Sequence, residues 1–288
     1  VPVIILKTQK INMKMKTKTI SSLLIPFALV ATLFLSACED DAEKTPNTSE
    51  ATKKEKVNKV LDFREDLDFV NRFVNENVTT ISSEEGRSSF ATATIARMRS
   101  SAPCVETIKE EFPDGSTRIT MNFGDGCQTD EGAEVSGTVV MAFSFSGSTI
   151  EYSLEFIDYS ELSSGEHQGE IVNGTVSGSF VLDLEAEIFT QEMEQDLTIT
   201  YANNTEAKYK VAQASEMTDN GLRVISLTTS GNFADGGSFA MTLRKNLVYD
   251  FSCAGNFPIE GEEMLVFQGN SILVNYGNRT CDRDFSVK

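Results

Sequence analysis

From Cys104 to the C-terminus the apolar residues tend to recur at every second position, and this period constrains the chain more than any other feature. Successive side chains of an extended strand point to opposite faces, so a period of two builds a sheet with one apolar face and one wet face. The alternation runs through residues 117–123, 137–145, 150–157, 175–182 and 197–201, and returns at 224–227, 238–243, 265–267 and 272–276. Between these runs stand Asp114-Gly115, Asn203-Asn204, Asp219-Asn220-Gly221, Asp235-Gly236-Gly237 and Gly269-Asn270. Such residues supply the positive φ and the local side-chain acceptors that tight turns need. Strands joined by tight turns predict a mainly β fold, an antiparallel meander over residues 104–288. An open curved sheet, a sandwich and a half-barrel all satisfy the pattern.

Residues 53–103 follow a helical period instead. Val57, Val60, Leu61, Phe63, Leu67, Val70 and Val74 lie three and four apart and form one apolar stripe, with Asn58, Glu65, Arg72 and Glu76 opposite and Phe69 the one exception on that polar side. Thr52 and Glu55 have the spacing of a capping box, in which each side chain satisfies the other's free backbone amide. The helix either spaces the β domain from whatever precedes it or lies on the sheet. A second, alanine-rich helical segment is predicted over 89–99, ended by Pro103.

Upstream, Lys14, Lys16 and Lys18 precede an apolar run over 20–35 that contains Pro26 and ends in Leu35-Ser36-Ala37-Cys38. A basic start, a short apolar stretch and small residues before a cut are the marks of a secretory signal. A membrane-spanning helix needs about 20 apolar residues without such a break. The tetrapeptide resembles the lipobox of bacterial lipoproteins, so residues 1–37 read as a leader and signal peptide and Cys38 as the lipidated N-terminus of the mature chain. A diacylglyceryl group and an acylated amine there provide stable membrane anchoring. Residues 38–52 are polar, contain Pro46 and read as a disordered acidic tether. Its opening Glu39-Asp40-Asp41 resembles the short acidic export signal of surface lipoproteins of Bacteroidota-type bacteria. The implied location is the outer membrane, on the cell surface or its periplasmic face. The formal net charge of −18 repels phosphate backbones, which excludes nucleic acid as a partner class.

Of the five cysteines, four belong to an internal repeat. The stretch Ile119-Thr-Met-Asn-Phe-Gly-Asp-Gly-Cys127 is matched by Ile272-Leu-Val-Asn-Tyr-Gly-Asn-Arg-Thr-Cys281, and each has a cysteine upstream, Cys104 and Cys253. Four cysteines admit three pairings. The repeat selects Cys104–Cys127 and Cys253–Cys281, each closing a unit of strand, turn and strand. Each bond then contributes about 3.5 kcal/mol on the chain-entropy model. Oxidised pairs agree with an exported chain. The rival is a four-thiolate zinc site, which normally uses closely spaced Cys-x-x-Cys pairs that are missing here.

Phe123-Gly124-Asp125-Gly126-Cys127, Ser136-Gly137-Thr138-Val139, Val172-Asn173-Gly174-Thr175 and Tyr276-Gly277-Asn278-Arg279-Thr280-Cys281-Asp282 occur in this order. In motifs and order the chain resembles a group of Bacteroidota-type cell-envelope lipoproteins of uncharacterised activity, with a lipobox and a cysteine-stapled β meander. The resemblance implies architecture and location rather than a reaction.

Few residues here are suited to catalysis. The single histidine, His167, sits in a polar stretch, and the chain has no tryptophan to hold a sugar. No nucleophile elbow, Walker loop or zinc-protease motif is present. Asp125, Asp130, Glu131 and Glu134 gather near one turn and form a weak calcium candidate, without EF-hand order. No other cofactor is expected. The chain therefore reads as a non-enzymatic binding or envelope-structural module, anchored to the membrane and contacting a glycan or an envelope protein. The alternative is a carboxylate-dependent glycan-active hydrolase at the cell surface.

Overall fold

The computed structural model describes residues 49–67, 70, 73, 86–130, 132–162, 170–183, 188–218, 221–250, 252–253, 257–278, 280–282 and 284–288. Cys38, its leader, the acidic run after it, Glu131 and His167 lie outside the described residues. From Thr48 to Lys288 the chain forms one compact unit.

The first helix, α1, spans Glu50–Asp66. Its N-cap is Ser49, whose hydroxyl accepts from the Thr52 amide at 3.2 Å. The helix thus starts before the Thr52/Glu55 box, within the stretch read as tether. Ser49 is an equally good cap, and Glu50 adds a negative charge beside the helix's positive end. A later helix, α2, covers Gly86–Ser101. Twelve strands follow: β1 Glu106–Glu111, β2 Thr117–Gln128, β3 Glu134–Ser146, β4 Thr149–Leu162, β5 Ile171–Asp183 and β6 Ile188–Thr200, then β7 Glu206–Thr218, β8 Gly221–Asn232, β9 Ser238–Asp250, β10 Glu260–Phe267, β11 Asn270–Asn278 and β12 Ser286–Val287. Each pairs antiparallel with its neighbour in sequence, giving one open meander with β1 and β12 at its edges.

Four of the turns are the same device. In residues 112–116, 129–133, 201–205 and 233–237 the first amide donates to the fifth carbonyl and the fourth amide to the first carbonyl. The fourth residue has positive φ: Gly115 84°, Gly132 85°, Asn204 61° and Gly236 84°. At Asp114, Asn203 and Asp235 the side chain also accepts from the amide two residues on, at 2.9–3.0 Å. The Asp-Gly and Asn-Asn pairs thus fix hairpin register through their own side chains.

Alternation decides which side chains face inward. Ile119, Met121, Val139, Met141, Leu154, Val176, Leu197, Met241, Leu265, Ile272 and Val274 are all essentially buried on one face. The helices lie on that face. Phe63 of α1 meets the rings of Tyr209, Phe233 and Phe239 edge-on at 5.5–5.9 Å, and Phe73 meets Phe156 and Tyr159 at 5.8 and 6.2 Å. Neighbouring strands stand about 4.8 Å apart, so a flat sheet could not bring strands from β4 to β11 onto so short a helical segment. The sheet curls around the helices. Val57, Val60, Phe63 and Leu67 are at most 4% exposed, and burial of each stabilises the fold by roughly 1.5–3 kcal/mol. The helix is therefore part of the core, which resolves the choice between spacer and packed element. Val74, Arg72 and Glu76 lie outside the described residues.

Candidate functional site

The most concentrated buried chemistry lies where α1 crosses the later strands. Arg64 borders the apolar stripe of α1 and reaches the inner face of β10. Its Nη1 donates to both carboxylate oxygens of Glu263 at 3.2 Å. Glu263 is fully buried, and the Arg64 side chain is 19% exposed. The Tyr276 hydroxyl of β11 donates to Glu263 Oε2. Arg64 Nη1 also lies 3.9 Å from Met241 Sδ on β9, and Tyr209 on β7 and Tyr249 on β9 are close enough to interact with it electrostatically.

Burial works against the Arg64 charge, but attraction to Glu263 and to the tyrosine oxygens outweighs it and raises the guanidinium above its ordinary value. Burial first, and then Glu263, holds Tyr276 well above the ordinary phenol range. Burial also pushes Tyr249 up to about 12 and raises Tyr209. The charged pair and the neutral tyrosines are mutually satisfying, so the cluster clamps α1 to four strands rather than presenting a reactive group. Lys59 adds an exposed link, bonding Asp235 and lying 4.4 Å from the centre of the Phe233 ring.

Sequence reading missed this cluster, although a signal was present. Along β10 the buried positions are Gly261, Glu263, Leu265 and Phe267. A charged residue at an inward position demands a partner, and Arg64 flanks the apolar face of the helix that packs there.

The cysteines close the two outer hairpins. Cys104 and Cys127 are at bonding distance, with Cα atoms 5.6 Å apart, at the open end of the β1–β2 hairpin. Cys253 and Cys281, with Cα atoms 5.3 Å apart, do the same around β10–β11. These are the pairs the repeat selects. The repeat is also a repeated geometry: Asn122 accepts from the Gly124 amide, and Asn275 from the Gly277 amide, each at 2.9 Å. Both glycines have positive φ, 65° and 91°. Each Asn therefore turns its strand just before the cysteine.

The two remaining motifs meet at one irregularity. Asp158 has φ 49°, and register shifts there against both β3 and β5. The Asn173 side chain accepts from the Asp158 amide at 2.9 Å and donates to its carboxylate at 3.2 Å. Opposite, a Cβ on Gly137 would fall 2.2 Å from the Asp158 carbonyl oxygen, and Gly137 has φ 84°. Ser136-Gly137 and Asn173-Gly174 are thus the two sides of a β-bulge, a device that bends a strand.

Of the calcium candidates, Asp130 lies in the 129–133 turn and Asp125 and Glu134 flank it. Asp125, Asp130 and Glu134 are exposed, Glu131 lies outside the described residues, and the Asp130 amide donates to Ser101. Among the described residues, no group of three or more His, Cys, Asp or Glu side chains is arranged to hold a metal ion. No helix among them is long and apolar enough to cross a membrane. No family model, curated protein or solved structure matches the chain.

Proposed function

We propose that the chain is a membrane-anchored, extracytoplasmic lipoprotein whose β unit is a non-enzymatic binding or envelope-structural module of Bacteroidota-type cell envelopes. The observation that carries this reading is a cysteine pair at disulfide distance on each of two hairpins toward opposite sides of an open sheet. A Cys104–Cys127 bond staples the edge strand β1 to β2, and a Cys253–Cys281 bond closes the β10–β11 hairpin beside the short edge strand β12, which guards these flanks against fraying and strand exchange. Such bonds form and persist in exported compartments and are rare in reducing ones. The lipobox-like Leu35-Ser36-Ala37-Cys38 supplies the anchor, and the acidic run after it supports display at the surface. The outer face of the sheet and its rim are then free to meet a glycan or an envelope protein. The test is fractionation of cells carrying the native chain or Cys38→Ala. The native chain is expected in the membrane fraction and the variant in the soluble extracytoplasmic fraction. A variant that stays in the membrane would overturn the anchor. Protease treatment of intact cells then separates surface from periplasmic display.

A further inference from the structure

Strands β6 and β7 carry an inner face unlike the rest. At inward positions β6 holds Gln191, Met193 and Gln195, and β7 holds Gln213 and Ser215, where the neighbouring strands are apolar. The register sets Gln191 opposite Ser215 and Met193 opposite Gln213, so these polar groups form one patch. The patch is inside the fold: Gln195 is 5% exposed and Ser215 is 1% exposed. The Ser215 hydroxyl has no hydrogen-bond partner. A buried polar atom left unpaired costs free energy and calls for an explanation.

One wall of the patch is aromatic. Tyr152 stacks on Phe180 with centroids 5.1 Å apart. Gly178 makes room for it, since a Cβ there would fall 2.8 Å from the tyrosine hydroxyl. The same hydroxyl accepts from Gln191 Nε2 at 3.2 Å. Toward the adjacent ends of the strands the burial relaxes. Phe145, Ile150, Phe189, Met217 and Leu222 are half-buried and form an apolar rim. Half-exposed apolar groups around convergent amides and a hydroxyl make the arrangement of a small-molecule site.

We infer that this end of the inner face binds an uncharged ligand that pairs an aromatic or other apolar body with at least one hydrogen-bonding group. The inward positions of β4 to β8 at this end carry no charge among the described residues, so a charged ligand would lose its hydration without compensation. The apolar body lies against Tyr152, Phe180 and the rim. Its polar group meets the Gln213 amide and the Ser215 hydroxyl. This inference rests on the reading of the chain as a binding module and adds an inner-face site to the outer face and rim proposed for a glycan or an envelope protein.

The test uses N-phenylnaphthylamine, an uncharged aromatic amine whose fluorescence rises on transfer from water, titrated into the full chain with both disulfides formed. Saturable binding at one probe per chain is expected. Ser215→Leu and Gln213→Leu should each weaken it at least fivefold. Glu194→Gln, on the outer face of β6, should leave it unchanged. Absence of saturable binding, or equal affinity in all three variants, overturns the site. If the inner-face variants fail to fold, photolabelling of the native chain with an azido derivative of the probe decides. Label on β6 and β7 peptides supports the site, and label elsewhere overturns it. A chain that fractionates with the membrane yet binds no probe loses this site and keeps its anchor. A chain that binds the probe but is not anchored keeps the site alone.

Discussion

Glu263→Ala is the substitution that asks most of the fold. It removes a fully buried carboxylate and leaves Arg64, at 19% exposure, facing three tyrosines without its counter-ion. Removing one member of a buried pair costs about 3–5 kcal/mol, because the survivor keeps its desolvation penalty and loses its partner. Tyr276 loses its acceptor at the same time. For a unit of this size each kcal/mol lowers the melting temperature by about 2–4 °C, so a fall of roughly 6–20 °C is expected. The assay is thermal unfolding followed by circular dichroism at neutral pH, with both disulfides formed. The partner experiment is the double variant Arg64→Met with Glu263→Leu, which replaces the pair by apolar side chains. It should recover most of the loss, since a buried ion pair often contributes little more than packed apolar residues of similar volume. A single variant that melts within about 2 °C of the parent refutes the clamp. So does a double variant no more stable than the single one.

Three further outcomes follow from the same geometry. The raised tyrosines make the fold sensitive to alkali: a group whose folded pKa lies above its unfolded value stabilises below the unfolded value of about 10 and loses that contribution as pH rises through the folded one. With Tyr152 and Tyr249 pushed up to about 12, and Tyr209 and Tyr276 also raised, stability should begin to fall above about pH 10, read from denaturant midpoints together with tyrosinate absorbance. Replacing Cys104 and Cys127 by serine should lower stability by about 3.5 kcal/mol in urea titrations, and an unchanged midpoint would show that the edge hairpin needs no staple. Gly137→Ala places a Cβ 2.2 Å from the Asp158 carbonyl oxygen at a φ of 84°, so a loss of more than about 2 kcal/mol is expected in the same titration, against little change for Ala142→Ser on the same strand.

Elements with a strong contrast between faces were legible without coordinates. Residues 117–123 alternate and fall within β2, and 137–145 and 150–157, which alternate less strictly, fall within β3 and β4. The α1 stripe was legible from Val57 through its C-cap Leu67 because burial of one helix face requires that spacing. The strands β7 and β12 escaped entirely, and β6 in part. The part of β6 before Leu197 and the second half of β7 lack a clear pattern, because Gln191, Gln195, Gln213 and Ser215 erase the apolar signal at their inward positions; the first half of β7 was missed although Ala207, Tyr209 and Val211 alternate with polar residues. Only the last part of β10 was seen, because Glu263 breaks its pattern. Local rules failed where the fold buries polar groups, and those are the places argued above to hold the helix and to bind a ligand.

By itself the sequence determined the period of each element, the turns between them and the symmetry of the two cysteine units. These are local properties, set by side-chain direction, by φ preferences and by residues a few positions apart. Tertiary structure alone decided that the sheet stays open and curls around α1, that Arg64 meets Glu263 from a distant strand, and that both stapled hairpins take the flanks of one sheet. Those outcomes depend on contacts between residues far apart in the chain, whose free energy comes from burial and charge pairing that exist only once the strands have assembled.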